Sequence, residues 1–147
     1  MTDHDQAAVA FQNPDDATIA ELLRTMRRVA VVGISDNPER ASHGITKFLL
    51  YAGYEVVGVN PKLQEVLGVK VYPSLADIPD PVDVVDIFRR GEFVGPIVDA
   101  AIAIGARAVW MQEHVVNPEA ALKARQAGLI TVMDRCIYKE WLRLLND

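Results

Sequence analysis

Arg40, Lys62, Arg89, Arg90 and Arg135 each stand a few residues beyond the end of a short apolar run, and Lys47 lies one turn into the helix after the first of these loops. Guanidinium forks and ammonium groups bind phosphate oxygens, as do the free N–H groups at a helix start. Their loop neighbours are Gly33-Ile34-Ser35, Ser42-His43-Gly44, Asn60-Pro61, Phe88, Gln112-Glu113-His114 and Cys136. A chain with net charge −5 has thus gathered much of its positive charge where a phosphate-bearing ligand would sit. Asp36, Glu39, Glu113 and Asp134 lie among these cations and leave a second reading open, that the loops are merely polar and solvated.

The same loops spell out no catalytic set. His43 either donates to a phosphate or caps the helix behind it. His114 would work as an acid or base only beside a nucleophile, and none is identifiable in the sequence. Arg135 favours a thiolate at Cys136, which could attack an acyl group or pair with a ligand thiol; the alternative is a small buried hydrophobe. Asp83 and Asp86, three apart in a strand, point to opposite faces and cannot form a carboxylate pair, and burial of either would need partners. With one cysteine and three histidines, neither a disulfide framework nor a zinc cluster is available.

These loops must be positioned by the elements between them. The first fourteen residues lack periodicity and read as a loose arm, leaving residues 15–147 as one domain. Asp15-Asp16 cap a helix with apolar Ile19, Leu22, Leu23 and Met26. Strand-like runs follow at Arg28–Gly33, Glu55–Val59, Val82–Phe88, Arg107–Gln112 and Leu129–Met133, with helical patterns at Gly44–Ala52, Glu92–Gly105, Asn117–Gly128 and Ile137–Leu145. The excursion Lys62–Pro81 holds a short extended piece at Val69–Tyr72 and a helical turn near Leu75. Trp110 reads as core packing within the fourth strand. Trp141, Leu142, Leu144 and Leu145 make a stripe that covers the sheet or, in the other use, a dimer contact.

Strands alternating with helices at this pace demand parallel pairing through right-handed crossovers. The expectation is an α/β, Rossmann-like, doubly wound, mainly parallel five-stranded sheet of order 3-2-1-4-5 with helices on both faces. Its ligand crevice then lies between the loop after Gly33 and the loop after Gln112. At 147 residues the chain can bury a core unaided. No apolar run approaches the roughly 20 residues that span a bilayer, and Met1–Asp5 is not a signal peptide, so the expected setting is cytoplasmic and off the membrane. The acidic balance argues against nucleic acid as a partner.

The first strand-to-helix turn does not carry the dinucleotide fingerprint: after Gly33 come Ser35 and Pro38, and the next glycine is Gly44. Where NAD enzymes place an acid after the second strand stands Asn60-Pro61. The runs Val31–Ser35, Pro38–Gly44, Val59–Pro61, Tyr72–Pro79, Val82–Arg90 and Met133–Cys136, in that order, closely resemble the small stand-alone CoA-binding proteins. Those are similar to the N-terminal CoA-binding domain of the succinyl-CoA synthetase α-subunit. The resemblance covers roughly residues 17–145. It implies coenzyme A as ligand, free or as acyl-CoA, and a binding protein without catalytic partner domains.

Carried over position by position, the resemblance puts Gly33, Ile34 and Ser35 around the pyrophosphate or pantetheine and Arg40, Ser42 and Lys47 on phosphate oxygens. Asn60 and Pro61 would lie beside the adenosine, with Lys62 near its phosphate, Phe88 and Arg89 packed on the nucleotide, and Gln112 closing the crevice; His43 belongs to the same candidate set. The relatives often carry glycine near position 114, where Glu113-His114 would narrow the path of the pantetheine arm. Two other classes stand beside this reading. One is an enzyme, either a small NAD(P)-dependent oxidoreductase or an acyl-transfer enzyme using Cys136. The other is an interaction module that keeps the fold without the ligand.

Overall fold

Asp15 accepts a hydrogen bond from the Thr18 N–H at 2.9 Å and starts α1, Asp16–Thr25, whose Ile19, Leu22 and Leu23 are buried. In the computed structural model, which describes residues 10–145, α1 leads into β1, Arg28–Val32. Then follow α2, Ala41–Tyr51, β2, Glu55–Val59, the short β3, Glu65–Val66, and β4, Val69–Tyr72. The remainder comprises β5, Val84–Ile87, α3, Val94–Ala103, β6, Ala108–Met111, α4, Pro118–Gln126, β7, Ile130–Val132, and α5, Ile137–Leu145. Among the described residues no helix is long and apolar enough to cross a membrane.

The sheet has seven strands in the order β3-β4-β2-β1-β5-β6-β7, parallel except for the β3–β4 hairpin. Strand side chains alternate between two cores. Ala30, Val32, Val85 and Ile87 face α3 and α4. Val29, Val31, Val84, Ala108 and Trp110 face α1, α2 and α5. The architecture is the expected doubly wound α/β fold, and two details correct the expectation.

The expected third strand, Val82–Phe88, does not lie at the edge beside β2. Its core, β5, pairs with β1 on the other side, through Val29–Val84 to Val32–Ile87. The place beside β2 is taken by β4, which raises the strand count and moves the crevice. The reason lies in the excursion: Leu67 (φ 53°) and Gly68 (φ 78°) turn the chain tightly, so β3 and β4 form a hairpin. Val69 and Val71 go inward and Lys70 outward, the alternation of a strand with one covered face. The order reverses at β1, flanked by β2 and β5, so the crevice opens between the loops after Gly33 and after Ile87, not at Gln112.

The expected loose arm over residues 1–14 falls for residues 1–9 outside the described part. Beyond it the arm is docked: Phe11 is buried in the α3–α4 core, and Asn13 exchanges two hydrogen bonds with the Met133 backbone at 2.7 and 3.0 Å. An amide bonded to both main-chain groups of one residue extends the sheet edge as a further strand residue would.

Candidate functional site

The crevice begins where β1 ends. Gly33 adopts φ +89°, donates its N–H to the Val59 carbonyl at 3.0 Å, and passes close to Phe88, whose carbonyl oxygen a Cβ would meet at 3.3 Å. A side chain here would carry both left-handed strain and crowding. Ile34 then turns its whole side chain into the α1–α2–α5 core, a move made possible by Gly58, where a Cβ would stand 2.8 Å from Ile34 Cγ2. Ile34 therefore borders the crevice with its side chain committed to the core.

Asn60 ties the next loop to this one. Its Nδ2 donates to the Ile34 carbonyl at 2.9 Å, and its Oδ1 accepts from the Lys62 N–H at 2.9 Å. Ser35 Oγ accepts from Asn37 N–H and Asn37 Oδ1 from Glu39 N–H, each at 3.0 Å, which folds the loop back to Arg40. Arg40 is the cap residue of α2 and makes no side-chain capping bond, so the positive end of an eleven-residue helix opens beside Arg40, Ala41 and Ser42.

These parts enclose a crevice of about 860 Å³, within the size range of small-molecule sites. Ten of the thirteen expected residues line it: Gly33, Ile34, Ser35, Arg40, Ser42, Asn60, Pro61, Lys62, Phe88 and Arg89. Among the described residues, Arg40, Lys62 and Arg89 form no salt bridge, whereas Arg90 pairs with Glu92 at 3.3 Å and Arg135 with Glu140 at 3.9 Å. The three cations that border the crevice have no carboxylate partner, as is also true of Arg24, Arg27, Lys47, Lys70, Arg107 and Arg125 elsewhere among the described residues.

Three expected residues lie elsewhere. His43 falls inside α2, because the helix begins at Ala41 and not at Gly44, and its side chain is buried in the protein. Lys47 lies further along the exposed side of α2 and borders a second groove. Gln112 is buried and accepts the Ile137 N–H through Oε1 at 3.1 Å, so it satisfies the start of α5. The strand-end reading missed Pro73, Ser74 and Leu75, because β4 was not counted in the sheet, and Pro96, Ile97 and Ala100 of α3, which wall the crevice from the other layer.

The second groove, about 920 Å³, lies between α2, α5 and the loop after β6, and Ala41 and Phe88 line both spaces. Phe48 meets Tyr138 and Trp141 edge to face at 4.8 and 5.4 Å. Glu113 and His114 border this groove and not the crevice. His114 holds φ 74° with its N–H on Asp134 Oδ1 at 2.7 Å, and Lys139 grips Glu113 at 3.0 Å. Cys136 is half-buried in the same wall.

Two buried groups outside both spaces follow from the sheet. Trp110 is fully buried and donates Nε1–H to the Arg135 carbonyl at 2.8 Å, as expected of a core residue. Asp83 accepts the N–H groups of Arg27 and Arg28 at 2.8 and 2.9 Å. Asp86, expected to need a partner, has none among the described residues, and burial pushes its carboxyl well above the ordinary range.

Compared with known proteins, residues 27–141 match the model of a CoA binding domain. The uncharacterised protein YneT of Bacillus subtilis (strain 168) is 42% identical over 127 residues, 86% of this chain and 94% of YneT. A hypothetical protein from Pyrococcus horikoshii OT3 superposes with a TM-score of 0.87 at 44% identity, covering 92% of this chain and 97% of that one. The ADP-forming acetate–CoA ligase II subunit alpha of Pyrococcus furiosus is 39% identical over 69 residues, 46% of this chain and 15% of that subunit.

Proposed function

The chain belongs to the CoA-binding domain family, and from that premise we propose that its crevice binds coenzyme A, free or acylated, in a carrier, sensor or regulatory role without chemistry of its own. The observation that carries this reading is the convergence of three cationic side chains on one helix start and one glycine turn. Arg40, Lys62 and Arg89, without salt-bridge partners among the described residues, surround an open helix start and the Gly33–Ser35 backbone at the sheet's reversal point. The diphosphate would rest on Gly33–Ser35 and the start of α2, with Arg40 as its charged clamp. Asn60 and Pro61 would lie beside the adenosine, Lys62 near its phosphate, and Phe88 and Arg89 against the nucleotide. The ligase subunit that shares this segment carries CoA in its name.

The residues support binding over catalysis. His43 is turned into the protein, His114 faces the neighbouring groove, and neither lies in the crevice beside a nucleophile. A nicotinamide cofactor is disfavoured because Asn60 stands where an acid would hold the ribose, with both ends of its amide committed to backbone. CoA is a ligand of the cell interior, and we place residues 15–147 in the cytoplasm as one binding unit.

Calorimetric titration with CoA, acetyl-CoA, NAD and NADP tests this. CoA or acetyl-CoA is expected to bind at micromolar concentration or tighter and the nicotinamide cofactors not at all. Binding of NAD without CoA would replace this reading with the dehydrogenase one, and binding of none would leave an interaction module.

A further inference from the structure

The groove between α2 and α5 is apolar where the crevice is cationic, and the two meet at Ala41 and Phe88. Its floor and walls include Ile45, Phe48, Trp141 and Leu142, with Leu142 37% exposed although it lies on the groove side of an amphipathic helix. Gly44 stands just past the junction, on α2, and the chain itself gives no reason for a glycine there. Its backbone has no positive φ, and a Cβ would meet nothing within 4 Å. Glycine is a poorer helix former than alanine, yet here no close approach or turn requires it. What glycine does provide is an unobstructed passage from the crevice into the groove.

We propose that this groove receives the acyl chain of a medium-chain acyl-CoA whose nucleotide end occupies the crevice; the inference rests on the CoA reading above and adds the ligand's acyl class. Continuity through Ala41 and Phe88 selects this occupant, because a thiol end leaving the cationic crevice on this side passes directly onto the apolar surface. From Gly44 to Tyr51 the helix advances seven residues, about 10 Å at 1.5 Å per residue, which matches an extended chain of about eight carbons. The aromatic edges of Phe48, Tyr138 and Trp141 offer such a chain contact along its length. Glu113, held by Lys139, marks the polar side of the groove.

The test is calorimetric titration of the full chain and of Gly44→Met with CoA, acetyl-CoA and octanoyl-CoA. Each buried methylene contributes about 0.8 kcal/mol, roughly fourfold in affinity. Burial of even two of the six added carbons therefore makes octanoyl-CoA more than about tenfold tighter than acetyl-CoA. A Cβ at 44 meets no neighbour within 4 Å, and the flexible methionine side chain suits a helix, so the variant is expected to fold, to fill the passage and to bring the octanoyl-to-acetyl affinity ratio down to about one. Equal affinities for the two acyl-CoAs in the unsubstituted chain, with CoA bound, overturn the acyl groove and leave the CoA reading standing. An octanoyl advantage that survives Gly44→Met overturns it too, since the chain then lies elsewhere. A dimer that persists in saturating octanoyl-CoA and dissociates on Leu142→Glu would assign the groove to a second copy. Failure of all three ligands defeats the CoA reading itself.

Discussion

Asp86→Val is expected to stabilise the protein, by an amount that rises with pH. Asp86 sits in the middle of β5, in register with Val31 on one side and Trp110 on the other, fully buried on the face covered by α1, α2 and α5. Neither carboxyl oxygen meets a donor among the described residues. Desolvation raises its pKa in the folded chain, whereas the unfolded chain releases the proton near the ordinary value of about 3.9. Between these two values the folded state holds a proton that the unfolded state has lost. Stability linked to Asp86 is thus fully present below the unfolded value and falls as pH rises, by up to about 1.4 kcal/mol per pH unit, until the folded carboxyl itself ionises.

Valine has nearly the same volume and does not titrate. Near pH 4 it should gain only what an unpartnered buried polar group costs, about 1–3 kcal/mol. Each unit above adds up to about 1.4 kcal/mol, or roughly 3–6 °C in Tm for a domain of this size. Asp86→Asn removes the titration and keeps the polarity, so its offset from Asp86→Val should not vary with pH. Urea unfolding of the three proteins at pH 4, 5, 6 and 7 reads these differences directly. A Val-minus-Asp difference that stays constant from pH 4 to 7, or a wild type more stable than the valine variant at neutral pH, refutes the picture of a protonated, partnerless carboxyl.

Arg40→Ala should weaken CoA by about 1–3 kcal/mol, roughly fivefold to 150-fold in Kd, through loss of charge-assisted hydrogen bonds; unchanged affinity in the titration removes Arg40 from the site. Gly91→Ala should destabilise by at least about 1–3 kcal/mol, because its Cβ would run into the Val116 carbonyl, a backbone atom of the loop that Asn117 Nδ2 ties to Gly91. A thermal melt unchanged from wild type would count against that packing. His114→Gly should raise Tm by about 2–4 °C, since φ 74° suits glycine and relief of strain outweighs the added freedom of the unfolded chain. A lowered Tm would mean that the imidazole contributes more than its backbone costs.

The periodicities located nearly every element. Asn117, followed by Pro118, starts α4 with Oδ1 on the Ala120 N–H at 3.0 Å, and α5 occupies the expected Ile137–Leu145. Strand order was not available in the same way. The Val-Lys-Val-Tyr alternation of β4 is a one-sided strand pattern, but its place beside β2 depends on a hairpin set by Leu67 and Gly68 and on pairing at a distance. The start of α2 was misplaced because Arg40 caps it without a side-chain bond, and the usual Ser, Thr, Asp or Asn signal is missing. That shift is what turns His43 inward. Gln112 reaches Ile137, 25 positions on, and no spacing rule reports such a contact. Nor does the sequence say which arginines are neutralised; only the folded positions separate Arg40 and Arg89 from Arg90 and Arg135.

A crystal structure of the protein grown with CoA would locate the nucleotide and its diphosphate outright. The diphosphate is expected between the Gly33–Ser35 backbone and the first turn of α2, within hydrogen-bond reach of the Arg40 guanidinium. Density for the nucleotide on any other face, with this crevice holding solvent alone, would contradict it.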